Sequence, residues 1–251
     1  MRYLTAVVVA AGLHLFAVSL QAAESSAPAK PLHVVMIAAS GEYDAEGSLK
    51  LLKARLEKEL RVRCTLLAAK DKGDEVAGLT DALESCDVLI PFMRRVALKG
   101  ESLEAFQAYC RSGRAVVGVR TASHAVQTWL EFDKEILGGN YKGHFKAGPT
   151  CQVRLSARHK NHPVLAGIKD FTSPASLYKN TGQADDCQVL MTGEIPGNTE
   201  PLTWVRSHKG GRVFYTSLGH PADFRNEQFL RLLTNAVKWT AAKSNEAAVR
   251  P

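Results

Sequence analysis

The stretch from Arg114 to His124 constrains the fold more than any other part of the chain. Its apolar run, Ala-Val-Val-Gly-Val, follows a Ser-Gly pair and is typical of a strand buried on both faces. The run ends abruptly in Arg120, Thr121, Ser123 and His124, so we predict a tight turn from the strand into a helix-like segment. A turn of this kind places polar side chains at the carboxyl edge of an open α/β sheet, where ligands bind.

Strand and helix patterns alternate along the first half of the chain, which predicts right-handed crossovers and a parallel sheet. We therefore predict a three-layer, flavodoxin-like α/β fold in a single domain, with a mostly parallel sheet and helices on both faces. The predicted strands cover residues 32–39, 62–68, 86–92, 114–120, 151–156, 187–192, 202–206 and 212–217. The predicted helices cover residues 48–60, 79–85, 102–111 and 226–242.

The chain begins with a segment typical of a secretory signal peptide. Arg2 is followed by an apolar run from Leu4 to Leu20 and then by small and polar residues. Residues 1–23 are therefore predicted to direct export to the periplasm or the extracellular space. The alternative is an uncleaved anchor, because the run is near the shorter end of a spanning helix; the mature form is predicted to have no stable span. The remaining divisions are a linker at 24–30, the folded domain at 31–242 and a polar tail at 243–251.

Charge and cysteine content narrow the possible functions. The formal net charge of +7 is dispersed, with Lys and Arg interleaved with Asp and Glu, which is typical of a solvated surface and not of a nucleic-acid-binding face. The five cysteines lack the spacing of a metal site, and no cofactor is predicted. Export permits disulfides. Cys151 and Cys187 each begin a predicted strand, so a bridge between them is conceivable, although most of the five are expected to be small buried hydrophobic residues.

Four polar segments follow predicted parallel strands, so we expect them to meet at one edge of the sheet: residues 40–43, 94–95, 120–124 and 219–220. A glycine-rich loop over 137–145 is expected to fold over them. The arginines suit a ligand with carboxylates, phosphates or sugar hydroxyls. The predicted ligand-binding residues are Arg94, Arg120, Thr121, Ser123, Asn140, Tyr141, Tyr178 and Lys179, and the predicted catalytic residues are His124, His144 and His220.

Each of these residues also has a structural interpretation. Arg94 is typical of a solvated loop, and Thr121 and Ser123 are typical helix N-caps. His124 is either a general acid or base or a satisfied structural histidine. Arg120 ends a buried strand, where an unpaired charge is costly, so it requires either an acidic side chain or a ligand. No metal site is predicted, because the histidines lack helical metal-ligand spacing and acidic neighbours; a metal-dependent hydrolase is a third alternative.

Five motifs, spread over nearly the whole mature chain, resemble the ThuA-like (trehalose-utilisation) domain family. They are Gly118-Val-Arg-Thr-Ala-Ser-His124, Leu137-Gly-Gly-Asn-Tyr-x-Gly-His144, His162-Pro-Val-Leu-x-Gly167, Ser176-Leu-Tyr-Lys179 and Gly211-Arg-Val-Phe-Tyr-Thr-Ser-Leu-Gly-His220. The resemblance implies a class I glutamine-amidotransferase-like sheet and a link to sugar metabolism. Many members carry Asp-Glu-Leu-Tyr where this chain has Ala175-Ser-Leu-Tyr178, so a mechanism that uses those two carboxylates is not expected here.

The sequence excludes glutamine hydrolysis. A glutamine amidotransferase has a nucleophilic cysteine at its elbow, two residues after a glycine, and Arg120 occupies that position after Gly118. A guanidinium stays protonated and is no nucleophile. Two hypotheses remain, and the sequence does not decide whether the protein is an enzyme. The first is an exported protein that binds a carbohydrate or keto-sugar derivative and processes it by hydrolysis or elimination. The second is a non-catalytic, degenerate amidotransferase-like module that binds a sugar or another protein.

Overall fold

A nine-stranded sheet organises residues 30–242, the part of the chain that the computed structural model describes. The predicted signal peptide, most of the linker and the polar tail lie outside the described residues. The strands are β1 Leu32–Ala39, β2 Val62–Ala68, β3 Val88–Met93, β4 Ala115–Val119, β5 Cys151–Leu155, β6 Phe171–Ser173, β7 Gln188–Ile195, β8 Asn198–His208 and β9 Gly211–Thr216. The α-helices are α1 Ala45–Glu59, α2 Leu79–Glu84, α3 Gly100–Arg111 and α4 Glu227–Ala241. In this described part of the chain, no helix combines the length and the apolarity that crossing a membrane requires.

The sheet is mixed, in the order β2-β1-β3-β4-β9-β8-β7-β5-β6. The neighbours from β2 to β9 are parallel, and those from β9 to β6 are antiparallel. The prediction of a mostly parallel sheet was therefore wrong for the second half. The strands of the second half are antiparallel because of their connections. Tight turns at 196–197 and 209–210 join β7 to β8 and β8 to β9 without a helix, and strands joined in this way must be antiparallel.

Helices cover both faces of the sheet, as expected. Helices α1 and α4 pack on one face, and α2 and α3 pack on the other. The packing of strand β1 explains why its sequence is a continuous apolar run. Val34 and Met36 face α1 and α4, whereas Val35 and Ile37 face the opposite layer. A strand buried on both faces has no solvent-facing positions. The result is one α/β domain with an apolar core on each side of the sheet.

The chain after β4 differs from the predicted strand-to-helix turn. A short 3-10 helix covers Arg120–His124, and a π-helical turn covers Asp133–Leu137, but no regular helix joins β4 to β5. The intervening segment is held by aromatic packing, because Trp129 and Phe132 both contact Phe106 of α3. This irregular segment leads directly into the glycine-rich loop that was predicted to fold over the sheet edge.

The conceivable Cys151–Cys187 bridge does not form, since all five cysteines are free thiols in the described residues. Strands β5 and β7 are antiparallel, with Gln152 opposite Glu194. Cys151 therefore lies at the far end of β7 from Cys187, which precedes Gln188. The length of β7, at about 3.3 Å per residue, separates the two thiols far beyond the Cα–Cα distance of about 6 Å in a disulfide.

Candidate functional site

The four predicted polar segments do meet at one edge of the sheet, because β1, β3, β4 and β9 run parallel. The backbone N–H of Arg95 donates to the carbonyl of His124 (2.8 Å), which joins the ends of β3 and β4. The guanidinium of Arg120 donates to the hydroxyl of Tyr43 (3.2 Å) and to the carbonyl of Ser217 (2.6 Å), which joins β4 to the ends of β1 and β9.

Arg120 lies at the centre of this edge. It directly follows β4, its backbone has the left-handed φ of 45°, and its side chain has no exposed surface. The guanidinium lies between two tyrosine rings, 4.3 Å from the ring centre of Tyr43 and 4.5 Å from that of Tyr178. It also donates to the hydroxyl of Ser176 (3.1 Å).

The charge of Arg120 has no acidic partner. Its partners are carbonyls, hydroxyls and the faces of aromatic rings, and no ion pair in residues 30–242 includes it. Its Nε has no partner. Cation–π contacts lower the cost of burying a charge but leave the net charge in place. Of the two partners that the sequence required, no acidic side chain contacts Arg120; its charge reaches the buried Asp223 without an ion pair and partly offsets the rise in pKa that burial causes there.

His124 lies beside Arg120 and is partly buried. Its ring stacks on the ring of Tyr141, with centres 4.6 Å apart and planes 17° apart. Burial, and then the positive charges of Arg95, Arg94 and Arg120, lower the pKa of His124 to about 3. The imidazole is therefore neutral at physiological pH.

The direction of the Ser123 hydroxyl sets the tautomer of His124. Nδ1 lies 3.1 Å from the hydroxyl of Ser123, and that hydroxyl donates to the carbonyl of Arg120 (3.4 Å). Because a hydroxyl has a single proton, Ser123 accepts from Nδ1–H when it donates to Arg120. The imidazole Nε2 then carries a free lone pair, and no described protein group bonds to it.

The two arginines that follow β3 differ. Arg94, a predicted ligand-binding residue, forms ion pairs with Glu42 (3.1 Å) and Asp71 (3.2 Å), so its charge is balanced by protein groups. Arg95 is exposed, has a left-handed φ of 51° and forms no ion pair within the described residues. Arg95 is thus the better placed of the two to meet an incoming ligand, whereas the sequence analysis selected Arg94.

Thr121 and Ser123 are buried, and neither caps the helix that follows β4. The hydroxyl of Thr121 has no hydrogen-bond partner. Ser123 bonds to His124 and to the carbonyl of Arg120, as described above. The N-cap interpretation of these residues is therefore wrong, because Val119 occupies the N-cap position.

The predicted loop residues lie on two segments that pair with each other. An isolated β-bridge joins His144 to Tyr178, and the rings of Tyr141 and Tyr178 are 4.6 Å apart. Asn140 is bonded to the carbonyl of Thr181 (2.8 Å). His144 is exposed and bonded to its own neighbour's carbonyl, while Lys179 is exposed, with its ammonium 4.8 Å from the ring centre of Phe145. Tyr141 and Tyr178 thus join the centre of the site, whereas Asn140, His144 and Lys179 surround it.

His220 lies in a turn that Asp223 organises. One carboxylate oxygen of the buried Asp223 accepts from the N–H groups of Gly219 and His220 (both 3.0 Å), and Nδ1 of His220 accepts from Ala222 (3.1 Å). No contact in residues 30–242 joins this imidazole to His124. Throughout the same part of the chain, no three His, Cys, Asp or Glu side chains are close enough together to hold a metal ion.

Several buried polar atoms at this edge have no hydrogen-bond partner. They are the hydroxyls of Ser40 and Thr121 and Nε of Arg120. Each of these residues follows a strand that ends at the carboxyl edge. Buried polar groups without partners cost stability, so the unpaired atoms of Arg120 and Thr121 favour a functional site at this edge.

Comparison with known proteins agrees with this geometry. A sequence model of the family described as trehalose utilisation (ThuA) matches residues 34–240. The chain is 20% identical to a protein from Bacteroides uniformis described as ThuA-like (TM-score 0.68, 90% of this chain and 97% of that chain). It is also 20% identical to a ThuA-like protein from Parabacteroides merdae (TM-score 0.67, 85% and 91%).

A more distant likeness shows the fold alone. A glutamine amidotransferase from Thermotoga maritima is 11% identical, with a TM-score of 0.52 over 84% of this chain and 98% of that chain. None of the curated proteins matches at a significant level. The family match covers most of the chain and includes every strand that ends at the Arg120 edge; the chain belongs to the ThuA family, and its fold is similar to that of a glutamine amidotransferase.

Proposed function

We propose that the protein binds a carbohydrate or an oxidised sugar on the surface formed by Tyr43, His124, Tyr141 and the exposed Arg95. The observation that carries this proposal is the stack of Tyr141 on His124, with a free imidazole Nε2 beside an unpaired buried cation. Aromatic faces pack against the apolar C–H faces of a sugar, and a few fixed polar groups orient it.

The charges of the site favour a ligand rich in oxygen. Arg95 has no acidic partner, and the cation of Arg120 lies beneath Tyr43, the partly exposed member of its stack. Carboxylate, keto and hydroxyl oxygens are all stabilised by such a positive field. Arg120 itself is enclosed, so direct contact between its guanidinium and a ligand requires Tyr43 to move.

The protonation state of His124 supports binding more directly than proton transfer. A neutral imidazole accepts a hydrogen bond from a sugar hydroxyl at Nε2. Because burial, and then the surrounding arginines, lower the pKa of His124 to about 3, it is a weak base in the ligand-free protein, and efficient general bases have a pKa near the working pH.

Processing of the sugar is the second candidate function, by hydrolysis or by elimination next to a keto group. The free Nε2 of His124 favours it, and an anionic or enolate oxygen near Arg95 would offset the positive charge that lowers the pKa of His124. The rival is a non-catalytic binding module. Its support is that Arg120, at the position of the amidotransferase nucleophile, is enclosed and bonds through both terminal nitrogens to protein groups.

The test is calorimetric titration of the purified chain with neutral sugars, keto-sugars and uronates, together with product detection. We expect His124→Ala to abolish binding and any turnover while the fold is retained. His159→Ala is the matched control, since His159 lies in a 3-10 turn outside the site. Absence of binding to every sugar class would refute the proposal, and binding without product would favour the module over the enzyme.

Export is part of the proposal. It rests on residues 1–23 of the sequence, and fractionation of cells that express the full chain tests it. We expect a shortened chain in the periplasm or the medium; a full-length chain in the membrane fraction would instead support the anchor.

A further inference from the structure

Asp133 is a buried carboxylate for which sequence reasoning assigned no role. It begins the π-helical turn after the Trp129–Phe132 segment and is 8% exposed. It forms no ion pair in residues 30–242. One of its oxygens, Oδ2, accepts from the backbone N–H of Tyr141 (3.0 Å), and Oδ1 has no partner. An acid buried beside a single amide costs stability, so its presence calls for a reason.

The glycine-rich loop is shaped around this carboxylate. A Cβ on Gly139 would lie 2.0 Å from Oδ1 of Asp133, so a larger residue there would displace the carboxylate. The N–H of Gly139 also donates to the backbone carbonyl of Asp133 (2.9 Å). The Leu137-Gly-Gly-Asn-Tyr141 motif thus wraps around Asp133 and brings the N–H of Tyr141 to its side chain.

The same tyrosine forms one wall of the proposed sugar site. Its ring stacks on His124 and contacts Tyr178, with centres 4.6 Å apart in both pairs. A continuous set of contacts therefore leads from the carboxylate of Asp133, through the Tyr141 backbone and ring, to the imidazole.

We propose that Asp133 is a positioning residue that holds the Tyr141 loop so that the tyrosine ring stays stacked on His124. The inference rests on the proposed function only in its consequence for ligand affinity. Its structural part, that the Asp133 side chain fixes the loop, stands independently of what the site binds.

The surroundings of Asp133 make its hydrogen bond to the Tyr141 N–H dependent on pH. Burial raises the pKa of Asp133 to about 6, and the hydrogen bond from Tyr141 opposes that rise. In the described residues, Tyr215 of β9 and the Cys187 thiol face it; burial raises the pKa of both, so both are neutral. The charged Arg206 of β8 donates to the carbonyls of Lys134 and Glu135 in the same turn. A protonated carboxyl group is a weaker acceptor than a carboxylate, so an opening that breaks the Tyr141 bond and leaves Asp133 buried becomes easier as pH falls through 6.

The test is hydrogen–deuterium exchange of the full chain, followed by mass spectrometry of the 138–145 segment. In Asp133→Ala we expect exchange in this segment at neutral pH to rise about tenfold, the equivalent of one hydrogen bond, with the β-sheet unchanged. In Asp133→Asn, whose amide oxygen is a weaker acceptor than a carboxylate, we expect a smaller rise. Glu131→Gln, an exposed acid two residues away, is the matched control. In the wild type alone, protection corrected for intrinsic rates should fall from neutral pH to about pH 5.

Sugar affinity, measured on the same proteins, separates the two proposals. Faster loop exchange in Asp133→Asn without any sugar binding in the wild type would sustain the positioning role and refute the sugar site. With a sugar bound, we expect lower affinity in Asp133→Asn. The inference would be overturned if loop exchange in Asp133→Asn equalled that of the wild type. The Asn variant preserves the side-chain shape, so it carries this test even if Asp133→Ala does not fold.

Discussion

Arg114 and Arg120 flank the same strand, and their guanidinium groups are bound by the same kinds of group. Arg114 rests on the ring of Tyr109 (4.4 Å) and donates to the carbonyls of Leu83 (3.1 Å) and Cys86. Arg120 rests on two tyrosine rings and donates to a carbonyl and to hydroxyls. Neither has an acidic partner in the described residues. The two arginines lie at opposite edges of the sheet, and only one of them is fully buried.

The difference shows what distinguishes a structural arginine from one at a functional site. Arg114 keeps contact with water, and its carbonyl partners lie at the end of α2, where a cation is favourable. Arg120 is fully buried, its Nε has no partner, and its backbone is left-handed. That backbone conformation costs about 1 kcal/mol or more in a non-glycine residue. Strain and unpaired polar atoms of this kind concentrate where a structure serves binding or catalysis.

The largest expected effect comes from replacing each arginine by methionine. Arg120→Met should lower sugar affinity by on the order of 100-fold, since it removes a desolvated charge and the support of Tyr43, with a stability change below about 2 kcal/mol. Arg114→Met should leave affinity unchanged and destabilise the fold by about 1 kcal/mol through the lost carbonyl and ring contacts. Calorimetric titration and urea unfolding measure the two quantities.

This pair of variants tests whether the two arginines differ in function. If Arg114→Met weakened sugar binding as much as Arg120→Met, the positive charge would act over the whole molecule and not at one edge. If Arg120→Met unfolded the protein while Arg114→Met did not, Arg120 would be a structural residue.

The second largest effect concerns the unpaired acid near the carboxyl edge. The folded state raises the pKa of Asp133 to about 6, whereas an unfolded aspartate has a pKa of about 3.9. The folded state therefore binds this proton more tightly, and the ionised side chain destabilises the fold above pH 6. The shift in pKa corresponds to a destabilisation of about 3 kcal/mol by the ionised carboxylate. A replacement asparagine removes this cost but buries an amide, which costs about 1 kcal/mol.

We therefore expect Asp133→Asn to be more stable than the wild type by about 2 kcal/mol at about pH 8, and the gain to vanish by about pH 4. Urea unfolding at the two pH values measures this difference. A variant that is less stable than the wild type at both would show that the carboxylate contributes to folding and not only to the placement of Tyr141.

The sequence predicted the parts of this fold that depend on neighbouring residues. Strand β2 has the predicted bounds, 62–68, and the turn after β4 is where the apolar run ended. The direction of the second-half strands was not predicted, because strand patterns do not reveal how strands pair. The roles of Tyr43 and Asp133 were not predicted, for a related reason. Tyr43 lies in a polar segment that was expected at this edge, and Asp133 lies beside apolar Phe132; their contacts arise only when β1, β4 and the glycine-rich loop come together.

The smallest expected effect tests the contrast between the two edges with a pair of threonines. Thr121, beside Arg120, has a buried hydroxyl without a partner, so Thr121→Val should stabilise the fold by about 1 kcal/mol. Thr240 lines the opposite edge with Arg114, and its hydroxyl donates to the carbonyl of Ala236 (2.9 Å), so Thr240→Val should cost about 0.5–1 kcal/mol. Valine has the shape of threonine, so opposite signs in urea unfolding would isolate the hydroxyl. Equal signs would mean that Thr121 has a partner in solution, such as water, and that the unpaired atoms around Arg120 mark hydration instead of a ligand site.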